Sequence, residues 1–245
     1  MRTLRQFTDL LRLELMMARP LIWLMALVQF MMTLGLILGL GYFIPNMTHV
    51  QALWLTSGAA SQTVVTTALV VLPQKLTQDK TEGKLAYLLT LPISRETYIL
   101  VQIAFVALAT LPCTAFAVAL GAWHYDISLD VSAAVLVVVP LAIFSLAGVG
   151  VAISMLSPFH QLTNALTQLT MFYVLLFAPV LFPKEQLPEL LQHVSVYMPP
   201  TYVADAMRSA LTNLPGTHLG RSLLVMAAFA VASIALSAVT VRRRG

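Results

Sequence analysis

Long apolar stretches, separated by short charged segments, dominate the chain. No charged side chain occurs between Arg19 and Lys75, and none occurs between Glu96 and Asp126. A helix that crosses the hydrocarbon of a bilayer needs about 20 apolar residues. The pattern therefore predicts an all-α membrane protein, a single transmembrane domain with six transmembrane helices. The predicted spans are about 20–44, 51–72, 99–121, 131–156, 165–183 and 221–241.

The composition is that of a protein whose solvent is the bilayer. Of the 245 residues, 59% are hydrophobic and 10% are charged, and the mean hydropathy is +0.85. Soluble domains are about 25% charged. The formal net charge is +4, but the basic residues cluster at the ends of the predicted spans. Membrane lipid is therefore an expected partner, and nucleic acid is not. The single Cys113 lies in an apolar run, which excludes a disulfide framework and a thiolate metal site.

The distribution of basic residues predicts the orientation of the chain. Four arginines precede the first span, four basic residues separate the second and third spans, and three arginines follow the last span. Together these make eleven of the fourteen Lys and Arg residues. Since cytoplasmic segments carry the excess of Lys and Arg, we expect a multi-pass protein of the cell inner (cytoplasmic) membrane with both termini in the cytoplasm. Residues 2–18 are expected to form an interfacial helix, with Phe7, Leu11 and Leu15 on its apolar face.

The loop at 73–98 holds most of the charge in the first half of the chain. Asp79 is placed to cap a helix, with Glu82 three residues later. Pro92 should end that helix, and Ser94 should cap the next one. A short amphipathic helix of this kind is joined to the third span, so it can transmit a movement of a cytoplasmic partner to the membrane-spanning helices. An ordinary loop lying along the membrane surface is the alternative.

Uncharged polar side chains occur along two of the predicted spans. The second span carries Gln62 and Thr66, and the fifth begins with Asn164 and continues through Gln168 and the aromatic Phe172. An unpaired buried amide costs several kcal/mol. These residues are therefore candidates for lining the path of an amphipathic substrate. Hydrogen bonds between neighbouring helices are the alternative use for them.

Small residues four positions apart predict places where helices approach closely. Gly35 and Gly39 form such a pair in the first span, and Gly148 and Ala152 form one in the fourth. A close approach at either pair would fix how that span packs against a neighbour.

Patterns of catalysis and ion coupling are missing from the sequence. Apart from Arg221 at an edge, the predicted spans contain no Asp, Glu, Lys or Arg. This argues against proton-coupled transport and against membrane enzymes that hold metals with carboxylates. The sequence has no Gly-x-x-x-x-Gly-Lys-Ser/Thr, His-Glu-x-x-His or Gly-x-Ser-x-Gly motif. We expect no catalytic residue, metal site or cofactor in this chain. An intramembrane enzyme and a non-transporting membrane scaffold are the competing hypotheses.

Two motifs resemble those of ABC-2 type transporter permeases. The run from Glu82 to Ser94 is similar to the cytoplasmic loop of that family, although Lys84 and Tyr87 stand where the family often has Thr and Glu. Its matching positions are Glu82, Gly83, Leu88, Leu89, Pro92 and Ser94. A second run resembles the segment before the last span of the family. Its matching positions are Pro199, Thr201, Tyr202, Asp205, Ala206 and Arg208. With the predicted spans, the resemblance covers essentially the whole chain.

The resemblance implies the transmembrane subunit of an ATP-binding cassette exporter, which moves a hydrophobic or amphipathic substrate such as a drug, a lipid or a peptide. It also implies an ABC ATPase in a separate chain, which binds ATP and Mg. The complex would hold two ATPase copies and two permease subunits, as a homodimer or a heterodimer.

The resemblance further assigns roles to two regions. The charged loop becomes a cytoplasmic coupling helix. Its candidate ATPase-coupling residues are Asp79, Glu82, Gly83, Lys84, Tyr87, Leu88 and Arg95. The region 184–220 becomes an external re-entrant region of short helices before the last span. Its candidate residues are Thr201, Tyr202, Asp205 and Arg208. The sequence predicts that Thr201 caps a helix there and that Asp205 pairs with Arg208.

Overall fold

The structure, a computed structural model, describes residues 2–17, 19–44, 47–84, 94–181, 188–212, 214 and 218–243. The described residues are mostly helical, with no strand among them. The helices are α1 Arg2–Met17, α2 Arg19–Phe43, α3 His49–Thr66, α4 Leu72–Thr81, α5 Arg95–Tyr125, α6 Val135–Leu156, α7 His160–Phe177, α8 Glu189–Ser195, α9 Pro199–Leu211 and α10 Leu219–Arg243.

Within the described ranges, five helical stretches are long and apolar enough to cross a membrane. They are Met25–Phe43, His49–Thr81, Arg95–Tyr125, Val135–Leu156 and Leu219–Ser237. The predicted fifth span, 165–183, is not among them. The helix in that region, α7, begins earlier and ends at Phe177. Its first half carries Gln161, Asn164 and Gln168, and these side chains lower its apolar character below that of the other spans.

A π-helical segment, Thr67–Val71, joins α3 to α4 without a break. Pro73 follows at the start of α4, where its missing N–H and its ring would otherwise disrupt a regular helix. The wider turn accommodates the proline, and the helix continues to Thr81. Residues 73–81 therefore belong to a helix, although the sequence predicted a loop over 73–98.

The core lies where α3, α5, α6 and α9 meet, and α10 covers one side of it. α9 contributes a fully buried face that includes Val203, Met207 and Leu211. α6 and α10 pack closely because Gly148 has no side chain. The Ser233 hydroxyl crosses this contact, accepting a hydrogen bond from Gly148 N at 3.1 Å and donating one to Ser145 O at 2.7 Å.

The close approach at Gly148 gives a stability prediction. A Cβ at this position would lie 2.6 Å from Ser233 Cα, so Gly148→Ala must push α6 and α10 apart. We expect the free energy of unfolding to fall by about 1–3 kcal/mol, the usual cost of overpacking. Gly35→Ala is the matched control, since no described atom lies within 4 Å of a Cβ there. Titration with sodium dodecyl sulfate in mixed micelles measures both variants, and equal stability of the two would refute the contact.

The space around the glycines of the first span contradicts the close helix approach that was predicted there. Neither Gly35 nor Gly39 has a described neighbour within 4 Å of an added Cβ. The pair therefore makes no close helix contact within the described part of this chain, and it leaves that face of α2 open.

The N-terminal helix α1 packs against α5. Its buried face is centred on Leu10, with Phe7 and Leu11 partly buried beside it, while Leu15 is exposed. The face is therefore rotated from the predicted one, and the rotation carries Glu14 into the interior.

Candidate functional site: a buried charge cluster beside the exposed turn

Four charged side chains and two polar ones meet inside the protein. They come from α1, α4, the residues just after α4, and α5: Glu14, Lys75, Asp79, Lys84, Tyr98 and Gln102. We call this set the charge cluster. It joins elements that are far apart in sequence and that surround the N-terminal end of α5.

Glu14 is the centre of the charge cluster. Its Oε1 accepts hydrogen bonds from Lys84 Nζ at 2.6 Å and from Gln102 Nε2 at 2.7 Å. Its Oε2 accepts a hydrogen bond from Lys75 Nζ at 3.3 Å. One carboxylate on α1 thus binds groups on α4, on α5 and on the residues after α4.

Asp79 is the second acceptor of the charge cluster. Its carboxylate accepts hydrogen bonds from Lys75 Nζ at 3.1 Å and from the Tyr98 hydroxyl. Lys84 Nζ lies 3.5 Å from the other Asp79 oxygen. Lys75 Nζ also sits 5.4 Å from the centre of the Phe105 ring. Two acids therefore face two bases, and the cluster as a whole is neutral.

Burial makes this neutrality necessary. The side chains of Glu14, Lys75 and Asp79 are 4%, 5% and 10% exposed, and that of Lys84 is 26% exposed. Removing one partner of a buried pair leaves an uncompensated charge and is strongly destabilising. Lys84 is the member nearest to solvent, so it connects the buried carboxylates to the surface.

The pKa values of two cluster members follow from these contacts. Burial alone would raise the pKa of Glu14, but Lys75, Lys84 and Gln102 outweigh it and hold this pKa below its ordinary value of 4.5. Burial alone would lower the pKa of Lys84, but Glu14 and Asp79 outweigh it and hold this pKa above its ordinary value of 10.5. Both groups are therefore charged across the physiological range.

These shifts predict how stability depends on pH. The contribution of Glu14 is complete above about pH 4.5 and is lost as the pH falls through its lowered folded-state pKa. The contribution of Lys84 is complete below about pH 10.5 and is lost as the pH rises through its raised folded-state pKa. Unfolding of wild type and Glu14→Gln should therefore differ at neutral pH and converge in acid. A difference that persists undiminished at pH 2 would contradict the assignment.

The turn after α4 presents one acidic side chain, that of Glu82, to solvent. Thr81 is the last residue of α4, and Glu82 follows as its C-cap. Gly83 then adopts φ of 78°, a left-handed conformation that glycine adopts without strain. Both Glu82 and Gly83 are exposed, and Gln78 Nε2 donates a hydrogen bond to Glu82 at 2.7 Å. We call residues 82–83 the exposed turn.

The structure separates the predicted coupling residues into groups. Asp79 does not cap a helix, because it lies inside the last turn of α4 and is buried in the charge cluster. Lys84 is also in the cluster, and the exposed turn holds Glu82 and Gly83. Arg95 is partly buried in the first turn of α5. Tyr87 and Leu88 lie outside the described residues.

The start of α5 follows the sequence prediction. Ser94 is the N-cap residue, and its hydroxyl accepts a hydrogen bond from Thr97 N at 3.1 Å. Glu96 lies in the first turn, where an acidic side chain is favourable. The predicted cap at Ser94 is therefore confirmed.

α4 is also attached to α6 and α7. Lys80 Nζ donates hydrogen bonds to Ser154 O at 2.9 Å and Ser157 O at 2.5 Å, at the C-terminal end of α6. The Thr77 hydroxyl bonds the hydroxyls of Ser154 at 3.0 Å and Thr163 at 2.9 Å. A movement of α4 would therefore reach α5 through the charge cluster, and α6 and α7 through Lys80 and Thr77.

A cavity of about 200 Å³ opens between α2, α3 and α7. Polar atoms enter it from all three helices, and none of the described residues that line it is ionisable. The lining residues are Gln29, Met32, Thr33, Leu36, Ala59, Gln62, Thr63, Thr66, Val70, Gln168 and Met171. We call it the glutamine cavity. Three predicted path residues, Gln62, Thr66 and Gln168, thus come together. Asn164 and Phe172 are not in the lining, and Phe172 is exposed on the surface of α7.

The predicted residues before the last span lie on and beside α9. This helix begins at Pro199 with Met198 at its N-cap, so Thr201 is not the cap. The Thr201 hydroxyl instead donates to Ser195 O at 2.8 Å. The Tyr202 hydroxyl donates to Val196 O at 2.8 Å. Both bonds tie the start of α9 back to the residues around the end of α8.

The predicted pair of Asp205 and Arg208 is confirmed, with 3.2 Å between its atoms. Arg208 is 1% exposed and also donates to Val180 O at 2.9 Å. Its guanidinium lies 3.6 Å from the centre of the Trp54 ring. This one side chain therefore joins α9 to α3 and to the segment after α7.

Comparison with known families decides the class of this arrangement. A family model for ABC-2 family transporter proteins matches residues 60–239. The chain belongs to the ABC-2 transporter family. This ABC-2 protein is therefore a multi-pass membrane protein and a permease component of an ABC transporter, in a family whose transport subunits are generally non-catalytic. A comparison with curated proteins finds no match.

Sequence patterns did not identify two central residues of this ABC-2 permease. Glu14 lies three positions after Leu11 and seven after Phe7, on the face of α1 that turns inward. An acid on such a face must be paired, which was the available signal. Gln29 donates to Thr63 O at 3.0 Å and to Thr67 Oγ1 at 3.2 Å from the edge of the glutamine cavity. Like Gln62 and Gln168, it is an amide in an apolar span, so the signal that singled out those two residues was available for Gln29 as well.

Proposed function

We propose that this chain is the permease subunit of an ATP-driven exporter that moves a neutral or net-neutral amphipathic molecule out of the cytoplasm or the inner leaflet. The family match supports the assignment as a transporter permease, and the contacts of the charge cluster support the mechanism. Two permease subunits and two ATPase subunits make up the transporter. ATP and Mg bind to the ATPase chains. The permease subunits lie in the inner (cytoplasmic) membrane, and both of their termini are in the cytoplasm.

The observation that carries the mechanism is the position of Glu14 between the exposed turn and the helices. Within the described residues of the charged segment, the exposed turn presents Glu82 to solvent, where a partner can touch it. Lys84 follows it directly and bonds Glu14 at 2.6 Å. A displacement of the turn by the ATPase therefore pulls on α1 through Glu14, on α5 through Gln102, and on α4 through Lys75.

The glutamine cavity supplies the path of the substrate. Its amide and hydroxyl groups can bond polar parts of a molecule, and its methionine and aliphatic side chains can contact apolar parts. A charged ligand would be desolvated there without an opposite charge, which is costly. This is why we assign a substrate without net charge.

Glu82→Lys tests the contact with the ATPase. This substitution reverses an exposed charge on the proposed contact surface, and we expect at least a tenfold loss of affinity, equivalent to about 1.4 kcal/mol. The measurement is co-purification of the ATPase with the tagged full-length chain, followed by MgATP hydrolysis by the isolated complex. Glu189→Lys, which reverses an exposed charge on α8, is the matched control and should keep the ATPase bound. Retention of a fully active ATPase by Glu82→Lys would refute the proposed contact.

A further inference from the structure

The π-helical segment Thr67–Val71 connects the two parts of the molecule to which the proposed function assigns roles. Before it, α3 lines the glutamine cavity with Thr63 and Thr66. After it, α4 enters the charge cluster through Lys75 and Asp79. A change in this segment would therefore alter the connection between the cavity and the charge cluster.

Gln29 of α2 holds the start of the segment. Its Nε2 donates to Thr63 O at 3.0 Å and to Thr67 Oγ1 at 3.2 Å, and the Thr67 hydroxyl itself donates to Thr63 O at 2.7 Å. A backbone carbonyl can only accept, so the bond to Thr63 O determines which way the Gln29 amide points. Gln29 is 9% exposed, and a buried donor that loses its acceptor is costly unless a new acceptor replaces it.

The Gln29 side chain borders two cavities. One is the glutamine cavity of about 200 Å³, and the other is a cavity of about 30 Å³ between α2, the π-helical segment and α5. The smaller cavity is also lined by Thr67 and Val71 of the segment and by Phe105 of α5. Both the amide and the start of the segment therefore adjoin space into which they can move.

Another face of the segment is tightly packed. A Cβ at Gly150 of α6 would lie 2.7 Å from Ala68 O and 3.2 Å from Pro73 Cδ. α6 therefore lies directly against the backbone of the segment and against the proline that follows it. The segment can loosen toward α2, where Gln29 holds it beside the cavities, more readily than toward α6.

The bonds of Gln29 favour one class of ligand in the glutamine cavity. Both N–H groups of its amide bond α3 and the segment, whereas its Oε1 has no partner among the described residues. A ligand group that only accepts hydrogen bonds, such as a tertiary-amide or ester carbonyl, can reach Nε2 only by displacing Thr63 O or Thr67 Oγ1. A group that donates can bond Oε1 and leave both contacts in place. An acceptor in the cavity therefore competes with the contacts that hold the segment.

We propose that Gln29 responds to the substrate: a hydrogen-bond acceptor on a neutral amphipathic molecule takes the Gln29 amide from Thr63 and Thr67, and the π-helical segment then loosens and moves α4. This inference rests on the proposed function of the glutamine cavity as the substrate path. It makes Gln29 the residue that selects substrates with an acceptor and that signals an occupied cavity to the charge cluster.

Hydrogen–deuterium exchange of the full-length chain in nanodiscs tests this release without the ATPase. The probe is N,N-dimethyloctanamide, whose carbonyl accepts hydrogen bonds and which has no donor. The matched probe is 2-methyldecane, the hydrocarbon of the same shape. We expect the amide to speed backbone exchange over residues 67–75 by about fivefold, equivalent to about 1 kcal/mol, and the hydrocarbon to leave it unchanged. Unchanged or slower exchange with the amide would overturn the proposal.

Variants test the same contact without a ligand. Gln29→Met removes both donors and keeps the length of the side chain, so exchange over residues 67–75 should be about fivefold faster, equivalent to about 1 kcal/mol, and the amide should add nothing. Val28→Met, on an exposed face of α2, is the matched control and should behave as wild type does. Thr67→Val, which removes the hydroxyl between Gln29 and Thr63, replaces Gln29→Met if the latter does not fold. Wild-type exchange in Gln29→Met, or a retained response to the amide, would refute the role of Gln29.

Hydrolysis of MgATP by the complex with the ATPase separates this inference from the proposed function. We expect the amide to speed both exchange and hydrolysis in wild type and neither of them in Gln29→Met. Faster exchange without a change in hydrolysis would support the role of Gln29 and contradict the coupling to the ATPase. Equal stimulation of hydrolysis in wild type and Gln29→Met would support that coupling and contradict the role of Gln29.

Discussion

Glu14→Gln should lower the free energy of unfolding by about 3–5 kcal/mol, the usual cost of removing one partner from a buried ion pair. The substitution keeps the shape of the side chain but leaves Lys75 and Lys84 facing the single carboxylate of Asp79. Both bases bond Glu14 in the folded protein, at 3.3 Å and 2.6 Å. The measurement is unfolding by sodium dodecyl sulfate in mixed micelles, compared with wild type at neutral pH.

A matched control and a double variant make this result specific. Asp9→Asn removes an exposed acid from the same helix, and it should change stability by less than about 0.5 kcal/mol. Glu14→Gln combined with Lys84→Met restores neutrality, because Lys75 and Asp79 remain paired at 3.1 Å. The double variant should recover a large part of the loss. Additive losses in the double variant would show that Glu14 and Lys84 act independently.

Arg208→Met should lower the free energy of unfolding by about 2–4 kcal/mol. The loss combines a hydrogen bond from a charged donor, worth about 1.5–3 kcal/mol, with a cation–π contact worth about 0.5–2 kcal/mol. The first is the bond to Val180 O at 2.9 Å, and the second is the stacking on Trp54 at 3.6 Å. Methionine fills the space but supplies neither interaction. The same unfolding measurement tests this variant.

Two companions of Arg208→Met show which contact matters. Arg208→Lys keeps the charge but lacks the planar fork, so it should recover only part of the loss. Asp205→Asn should cost less than about 1 kcal/mol, since the Asp205 side chain is 42% exposed and pairs near the surface. If Asp205→Asn cost as much as Arg208→Met, the ion pair and not the contacts with Trp54 and Val180 would hold α9 in place.

Much of the fold follows from the apolar pattern alone. Long runs without charge place the helices Met25–Phe43, Arg95–Tyr125 and Val135–Leu156 within a few residues of the predicted spans. Capping chemistry fixed the start of α5 at Ser94. These features are local, so each is encoded within a short stretch of sequence.

The sequence predictions that proved wrong lie where the backbone departs from a local rule. Pro73 normally ends a helix, but the π-helical segment before it lets the helix continue to Thr81. This continuation puts Asp79 inside a helix, where it cannot serve as a cap. The Gly83 turn then ends the helix, and Glu82–Gly83 is the signal that would have located this end.

The candidate site was only partly predictable, because it is assembled from distant residues. Gln62 and Gln168 drew attention because each is an amide in an apolar setting, and the fold brings them to one cavity. The charge cluster could be predicted only if the packing of α1 against α5 were known, and no local sequence pattern indicates that packing. Glu14 is 88 residues from Gln102 in sequence, and their contact arises only from tertiary packing.

The central claim is that Glu14 carries motion from the exposed turn to the membrane helices. Its most direct measurement is the distance between spin labels at Met16 and Leu169, both exposed, in a Cys113→Ala background that removes the single native cysteine. In the complex with the ATPase, pulsed electron paramagnetic resonance should show a change in this distance between the nucleotide-free and the ATP–vanadate states. Glu14→Gln should abolish that change while the ATPase still binds and hydrolyses ATP. An unaltered change in distance in Glu14→Gln would contradict the claim.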